Sequence, residues 1–216
     1  MTDAQLRQDV IDEFDFDPTF GGEHVGVSVE TGVVTLSGHV NSYAQKVAAI
    51  AAARRVEGVR AIAEEIDVRY PHQSKTADDQ IAKRALDIMQ WDSLVPDNRV
   101  MVLVQDGWVT LTGSVDWYFE KTAAEDDVRK LTGVRGITNK IDIKPQVAPS
   151  DVKLKIESAL KRHAEVTSRA IRVSVKDGHK VLLEGNVDNW DEKRAAENAA
   201  WSAPGVSFVD DRLTIA

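Results

Sequence analysis

The chain contains no cysteine among its 216 residues. Disulfide bridges, thiolate metal sites and cysteine nucleophiles are therefore excluded. Histidine is scarce as well: the five histidines occupy unrelated positions, and no pair has the His-Glu-x-x-His spacing of a zinc site. We expect these histidines to be surface residues, and we expect neither a metal nor another cofactor.

Long apolar runs are also missing. No stretch of about 18 consecutive apolar residues occurs, so we expect no transmembrane segment. The first six residues, Met1-Thr2-Asp3-Ala4-Gln5-Leu6, have neither the basic start nor the apolar core of a secretory signal. The sequence as written predicts a cytoplasmic protein, and it predicts a periplasmic one if a leader has been removed.

Sequence signatures of catalysis are absent too. The chain has no Gly-x-Ser-x-Gly element for a serine nucleophile and no Gly-x-x-x-x-Gly-Lys loop for phosphates. No nucleophile recurs beside a general base, so we expect that the protein is not an enzyme.

Positive charge is in short supply. The net charge is −8, and the imbalance is greatest in residues 1–70, where 6 basic residues accompany 12 acidic ones. Residues 146–216 are balanced, with 11 of each sign. A nucleic-acid partner is disfavoured, because such proteins present a basic surface to the phosphates.

What the chain does have is a threefold internal repeat. Gly38, Gly113 and Gly185 each lie near the end of an alternating apolar strand pattern, and they are 75 and 72 residues apart. Around each glycine the same order of patterns recurs: helix, strand, strand, helix, strand. Since no catalytic residue type recurs with the glycine, the repeat indicates binding or scaffolding.

The repeat predicts an α+β protein built of three tandem αββαβ domains. Each domain is a three-stranded mixed sheet with two helices on one face, and the boundaries are 1–70, 75–145 and 149–216. Asp106-Gly107 and its counterparts predict a tight hairpin between the first two strands. Proline-containing linkers at 70–74 and 144–150 separate the copies.

The second helix of each copy has expected ends. We predict N-caps at Asn41, Asp116 and Asp188, because their side chains can accept from free amides at a helix start. We predict that the helices run to glycines. These are Gly58, Gly133 and Gly205.

The central glycines have a predicted structural role. Strand alternation places Gly38 on the apolar face, opposite small residues of the second helix such as Ala49 and Ala53. A residue without a side chain would let helix and sheet approach closely. The alternative is that the glycine backbone contacts a ligand.

Each copy resembles a BON domain. The resemblance rests on Gly-Val-Val-Thr-Leu-Ser-Gly-His-Val at 32–40 and Gly-Trp-Val-Thr-Leu-Thr-Gly-Ser-Val at 107–115, and on the Gly-Val pairs at 58–59, 133–134 and 205–206. The resemblance implies an αββαβ module of bacterial envelope and stress-response proteins, osmotic stress included. It also implies that the protein has no enzymatic activity. It further implies that the protein binds phospholipid membranes or envelope partners.

Two groups of side chains are candidate contacts for lipid or for a partner. The aromatic group is suited to a bilayer interface or a protein interface, with packing between repeats as the alternative. The basic group on the first helix of the third copy could meet phosphate headgroups, or could be a solvated face. The residues are Trp108, Trp117, Tyr118 and Phe119, and Lys153, Lys155, Lys161 and Arg162.

One polar position recurs among apolar strand residues, as Glu64, Asn139 and Asp211. An inward charge without a partner is costly, so we expect a bulge or an edge location there. A polar site shared between repeats is the alternative. For the function, the rival of membrane binding is a cytoplasmic protein-interaction or self-assembly scaffold.

Overall fold

The computed structural model describes residues 1–17, 24–70, 77–144, 152–162, 171–177 and 179–215. Both predicted linkers, His72, His163 and Gly178 of the third hairpin lie outside these residues, apart from the linkers' first residues. Within the described part, six helices and three three-stranded mixed sheets form three repeated units, which confirms the predicted fold class.

The three repeats have the same order of elements. The first consists of α1 (Asp3–Phe16), β1 (Val25–Glu30), β2 (Val33–Val40), α2 (Tyr43–Arg55) and β3 (Ala61–Val68). The second consists of α3 (Asp78–Trp91), β4 (Val100–Gln105), β5 (Trp108–Val115), α4 (Tyr118–Arg129) and β6 (Gly136–Ile143). The third consists of α5 (Val152–Arg162), β7 (Ile171–Lys176), β8 (Lys180–Val187), α6 (Trp190–Trp201) and β9 (Phe208–Ile215).

The middle strand of each sheet is the second in sequence, with the orders β1-β2-β3, β4-β5-β6 and β7-β8-β9. In the first and third sheets the first two strands pair antiparallel and the last two pair parallel. The hairpin turns hold Thr31 and Gly32, and Asp106 and Gly107, at positive φ. Positive φ at both central residues matches the strand twist, which explains why the Asp-Gly signal predicted the hairpin correctly.

Helices and sheet enclose an apolar core in the first and third repeats. The buried residues of α1 and α5 recur at every fourth position, as expected for one face of a helix. Alternate residues of β2, such as Val34 and Leu36, are fully buried, whereas Val33 between the turn and the core is exposed. The helices therefore cover one face of the sheet and leave the other face to solvent.

Spatial proximity groups the chain into two compact units. Unit 1 comprises Met1–Leu86, Leu103–Val109 and Asp127–Thr138, and unit 2 comprises Asp87–Val102, Thr110–Asp126 and Asn139–Ala216. Residues of the second repeat occur in both units.

The N-caps of α2 and α6 lie one residue later than predicted. Ser42 caps α2 and Asn189 caps α6, since their side chains accept from Gln45 N and Glu192 N. The predicted cap Asn41 instead donates its own amide to the Gln45 side chain. The side chain of Gln45, three residues after the cap Ser42, thus accepts from a backbone amide that precedes the helix, much as in a capping box.

These helices also end before the predicted glycines. They stop at Arg55, Arg129 and Trp201. The glycines at 58, 133 and 205 follow in the turn, with φ between +88° and +103°. Glycine serves here because a left-handed backbone carries no steric cost without a side chain.

The central glycines have a different structural reason from the predicted one. Gly38 and Gly113 have φ of +122° and +128°. A Cβ on Gly38 would lie 2.1 Å from the carbonyl oxygen of His24, and one on Gly113 would lie 2.0 Å from that of Arg99. The prediction that Gly38 makes room for an alanine stripe is wrong, because an added Cβ would meet backbone atoms of His24 and Val25 and no alanine side chain.

The recurring polar position lies on an edge strand, as expected, and its partners lie inside its own repeat. Glu64 accepts from Ile66 N at 2.6 Å and pairs with Lys46 of α2 at 2.9 Å. In the third repeat Asp211 pairs with Lys193 of α6 at 3.2 Å. These side chains are between 16% and 29% exposed. These contacts each lie within one repeat, so they do not form a polar site shared between repeats.

In the second repeat an amide takes the place of the carboxylate. Asn139 accepts from Ile141 N, and its Nδ2 donates to Lys121 O at 3.0 Å and to Glu125 Oε2 at 3.1 Å. Lys121 Nζ donates to Ile141 O at 2.8 Å. Burial lowers the pKa of Lys121, and the nearby Glu125 carboxylate acts in the opposite direction. In each repeat, a lysine of the second helix donates to a backbone carbonyl of the edge strand and so holds the helix against that strand. These lysines are Lys46, Lys121 and Lys193.

Candidate functional site

Unit 2 contains a surface cleft lined by aromatic residues, which we call the aromatic cleft. Its lining side chains come from the start of α4 and the end of α6, and it has a volume of about 580 Å³. The lining residues are Trp117, Tyr118, Phe119, Thr122, Asn198, Trp201 and Ser202. Three of the four predicted aromatic contacts therefore come together in one place.

Local hydrogen bonds hold the start of α4 in position. The Glu120 carboxylate accepts from the amides of Asp116 and Trp117 at 2.9 and 3.0 Å. Thr122 Oγ1 donates to Phe119 O at 2.9 Å. These bonds fix the backbone that presents Trp117 and Phe119, whose side chains are 39% and 50% exposed.

The end of α6 supplies the opposite wall of the aromatic cleft. The Trp201 ring stacks on the Tyr118 ring, with centroids 4.3 Å apart and planes within 9° of parallel. The C-cap residue Ser202 donates its amide and its hydroxyl to Asn198 O at 2.9 and 2.7 Å. Tyr118 therefore packs against the third repeat, which was the alternative reading of the aromatic group, whereas Trp117 and Phe119 remain exposed.

Carboxylates lie near the aromatic cleft. Burial raises the pKa of Tyr118 above its ordinary value of 10.0, and the negative charges of Glu197, Glu125 and Asp126 raise it further. Glu197 also accepts from the Trp201 indole at 3.4 Å. The surroundings of the stacked pair are thus electrostatically negative, although none of the described residues that line the cleft is charged.

A second cleft of unit 2, which we call the basic cleft, adjoins the first through the shared residue Ser202. It has a volume of about 510 Å³ and is formed by the exposed side of α5 and the end of α6. Lys155 and Arg162 line it, together with Leu154, which is 66% exposed. Because α5 buries its other side in the core, the basic residues face away from the core.

The remaining predicted contact residues do not line either cleft. Lys153 and Lys161 are exposed on α5, and Lys153 lies 3.7 Å from Glu157. Trp108 belongs to unit 1, where its indole donates to Thr138 Oγ1 at 2.8 Å and its ring covers Gly136. Trp108 is 51% exposed, as predicted, but it packs across its own sheet.

Sequence reasoning did not select Trp201, Asn198 and Ser202 for this site. Trp201 is the last residue of α6, and nothing in the sequence around it indicates a binding site. Its partner Tyr118 is far away in sequence. Within the described residues, no group of three or more histidines or carboxylates could hold a metal ion. None of the described helices is long and apolar enough to cross a bilayer.

The fold and the two clefts define an α+β protein of tandem repeats with surface clefts of opposite character. The family model of the BON domain matches residues 2–70, 77–145 and 150–216. The chain belongs to the BON domain family and carries three BON domains in tandem.

Individual relatives resemble parts of this chain or its fold. Over 129 residues it is 32% identical to the osmotically-inducible protein Y of Escherichia coli (strain K12). That alignment covers 56% of this chain and 62% of the relative, less than two thirds of its length. Two structures of Chlamydia trachomatis CdsD, a structural protein of the type III secretion system, align over 98% and 100% of this chain and 92% and 100% of theirs. Their identities to this chain are 15% and 14%, and the TM-score is 0.27 for both.

Proposed function

We propose that this BON protein acts without catalysis and binds phospholipid membrane surfaces through unit 2. One observation carries the proposal: exposed aromatic rings and basic side chains line two adjoining clefts. Trp117 and Phe119 would enter the headgroup region, where amphipathic rings are favoured. Lys155 and Arg162 would lie beside the phosphates.

The charge distribution supports this orientation. A chain of net charge −8 is repelled as a whole by an anionic bilayer. The surface that approaches lipid must then bear local positive charge, and Lys155 and Arg162 provide it at the basic cleft. Each basic side chain near an anionic surface contributes about 1 kcal/mol. We therefore expect weak binding that falls as salt rises.

The proposed physiological setting is a response to osmotic or other envelope stress. It rests on the resemblance to the osmotically-inducible protein Y, which covers 56% of this chain. A protein that binds the membrane surface and catalyses no reaction fits that setting.

Vesicle co-sedimentation tests membrane binding. We expect the protein to pellet with vesicles of anionic phospholipid at low salt and to be released by salt, because two basic residues and two rings form a small contact. A double variant, Trp117→Ser with Phe119→Ser, is expected to lose most of the pelleted fraction. Trp91→Ser is the matched control, since Trp91 is 89% exposed and lies outside both clefts.

Two outcomes would contradict the proposal. One is the absence of pelleting with any lipid composition at low salt. The other is equal loss of binding in the control variant, which would show that any exposed tryptophan serves. Circular dichroism of the variants establishes that both remain folded.

A self-assembly scaffold is the second candidate, and a separate observation supports it. Strand β4 lies at an edge of its sheet, and its Met101 and Leu103 are each 64% exposed. Exposed apolar residues on an edge strand favour pairing with another chain. Sedimentation velocity would reveal a concentration-dependent oligomer, which Met101→Lys with Leu103→Lys should abolish.

A further inference from the structure

The aromatic cleft combines features that the membrane proposal does not require. Among the described residues, four aromatic side chains line it, and the other lining residues are the neutral Thr122, Asn198 and Ser202. Tyr118 and Trp201 stack face to face, so each ring keeps one face outside the pair. The electron-rich face of an aromatic ring attracts cations, and it does so most strongly for tryptophan.

The electrostatic surroundings of the aromatic cleft also favour positive charge. Glu197, Glu125 and Asp126 all act on Tyr118 from nearby. The end of α6 contributes as well, because Asn198, Trp201 and Ser202 belong to its last turn and C-cap. The C-terminal end of a helix carries partial negative charge, and α6 has no basic residue in its last turn to neutralise it.

The chemistry of the lining selects the kind of cation. A metal ion or a strongly hydrated ammonium would need oxygen ligands or charged partners in place of its water. The lining offers aromatic faces and a few neutral polar groups. A large organic cation spreads its charge over methyl groups and is suited to such a surface.

We propose that the aromatic cleft binds a quaternary ammonium group. The aromatic rings surround the methyl groups, and the carboxylates near Tyr118 together with the end of α6 provide the negative field. Lys155 and Arg162 of the adjoining basic cleft lie across Ser202 and would repel a bare cation. A ligand with a phosphate or carboxylate beside its quaternary ammonium is therefore bound more tightly than the cation alone.

Tryptophan fluorescence tests this proposal with soluble probes. Wild-type protein is titrated with tetramethylammonium chloride, choline and phosphocholine, with sodium chloride added to hold the ionic strength constant. We expect a saturable change, with phosphocholine the tightest of the three. The neutral isostere 3,3-dimethylbutan-1-ol has the same shape without the charge, and we expect it to bind roughly tenfold more weakly or worse.

Two variants locate the site. Phe119→Leu keeps an apolar side chain and removes one ring at a half-exposed position, so we expect the protein to fold and the affinity to fall about threefold to tenfold. Trp91→Leu removes a tryptophan outside the cleft and should leave the affinity unchanged. An isostere that binds as tightly as choline, or the absence of any saturable response, would overturn the proposal.

Vesicles distinguish the possible sources of the group. If phosphatidylcholine vesicles compete with free phosphocholine for the protein, a lipid headgroup is a ligand; if they do not, the ligand is a free molecule. This proposal is independent of the membrane proposal. Pelleting with anionic vesicles and no response to soluble cations would overturn the cleft assignment and leave membrane binding intact. A saturable response to soluble cations without pelleting would overturn the membrane proposal and leave the cleft assignment intact.

Discussion

Gly38 adopts a backbone conformation that residues with side chains rarely adopt. Its φ is +122°, and the carbonyl oxygen of His24 lies only 2.1 Å from the position where a Cβ would be. Backbone atoms cannot move aside as the end of a flexible side chain can. The pairing of the first two strands therefore requires glycine at this residue, with no need for a ligand.

Substitution of Gly38 by alanine should destabilise the first repeat. We expect Gly38→Ala to lower the free energy of unfolding by about 2–3 kcal/mol, because it combines a disfavoured φ with a clash against backbone. Denaturant unfolding followed by circular dichroism measures the change.

The matched control is Gly26→Ala in β1. Gly26 has no positive φ, and its added Cβ would meet the flexible Ser37 Oγ at 3.2 Å. We expect a change within about 0.5 kcal/mol there. Equal effects of the two substitutions would show that the left-handed conformation is not what requires glycine at Gly38.

The glycine also illustrates what the sequence can and cannot predict for a residue. The alternation around Gly38 correctly placed it in the second strand and pointed to a structural role. It could not reveal that φ is positive at Gly38, because this conformation brings the residue close to the carbonyl of His24, which lies 14 residues away in the sequence. Strand parity alone led to the wrong neighbour.

At the scale of elements, a lysine joins each second helix to an edge strand. Lys193 of α6 donates to Leu213 O at 2.7 Å and pairs with Asp211. The two charged side chains are 22% and 16% exposed, so each depends on the other more than a surface pair does. This contact holds α6 against β9.

Removal of this lysine should loosen the third repeat. We expect Lys193→Met to lower the free energy of unfolding by about 1–3 kcal/mol, because Asp211 and the Leu213 carbonyl lose their donor. Lys153→Met is the control: Lys153 is 56% exposed and its pair with Glu157 is 3.7 Å long, so a change within about 0.5 kcal/mol is expected. A neutral result for Lys193→Met, measured by denaturant unfolding, would contradict a structural role.

The elements of this contact are visible in the sequence, but the contact is not. The lysine follows the central glycine by 8 residues in every copy, and the recurring polar residue follows it by 26. The second of these recurrences suggested an edge strand, which is confirmed. Pairing Lys193 with Asp211 requires the parallel register of β8 and β9, which periodicity does not specify.

At the scale of the whole molecule, the order of elements followed from local signals. Alternation, Asp-Gly turns and helical periods each act within about ten residues, and the triple repeat reinforced them. The clefts of unit 2 could not be predicted in this way. Tyr118 and Trp201 are 83 residues apart, and only folding of the chain brings their rings together.

The most direct test of the central claim is quenching of tryptophan fluorescence by phospholipids with brominated acyl chains. It reports whether a given indole enters the bilayer. Two variants, each lacking one exposed tryptophan, are compared in anionic vesicles at low salt. We predict that Trp91→Phe keeps the quenching of the wild type and that Trp117→Phe loses a large part of it. Equal quenching in both variants, or none in the wild type, would contradict membrane contact through the aromatic cleft.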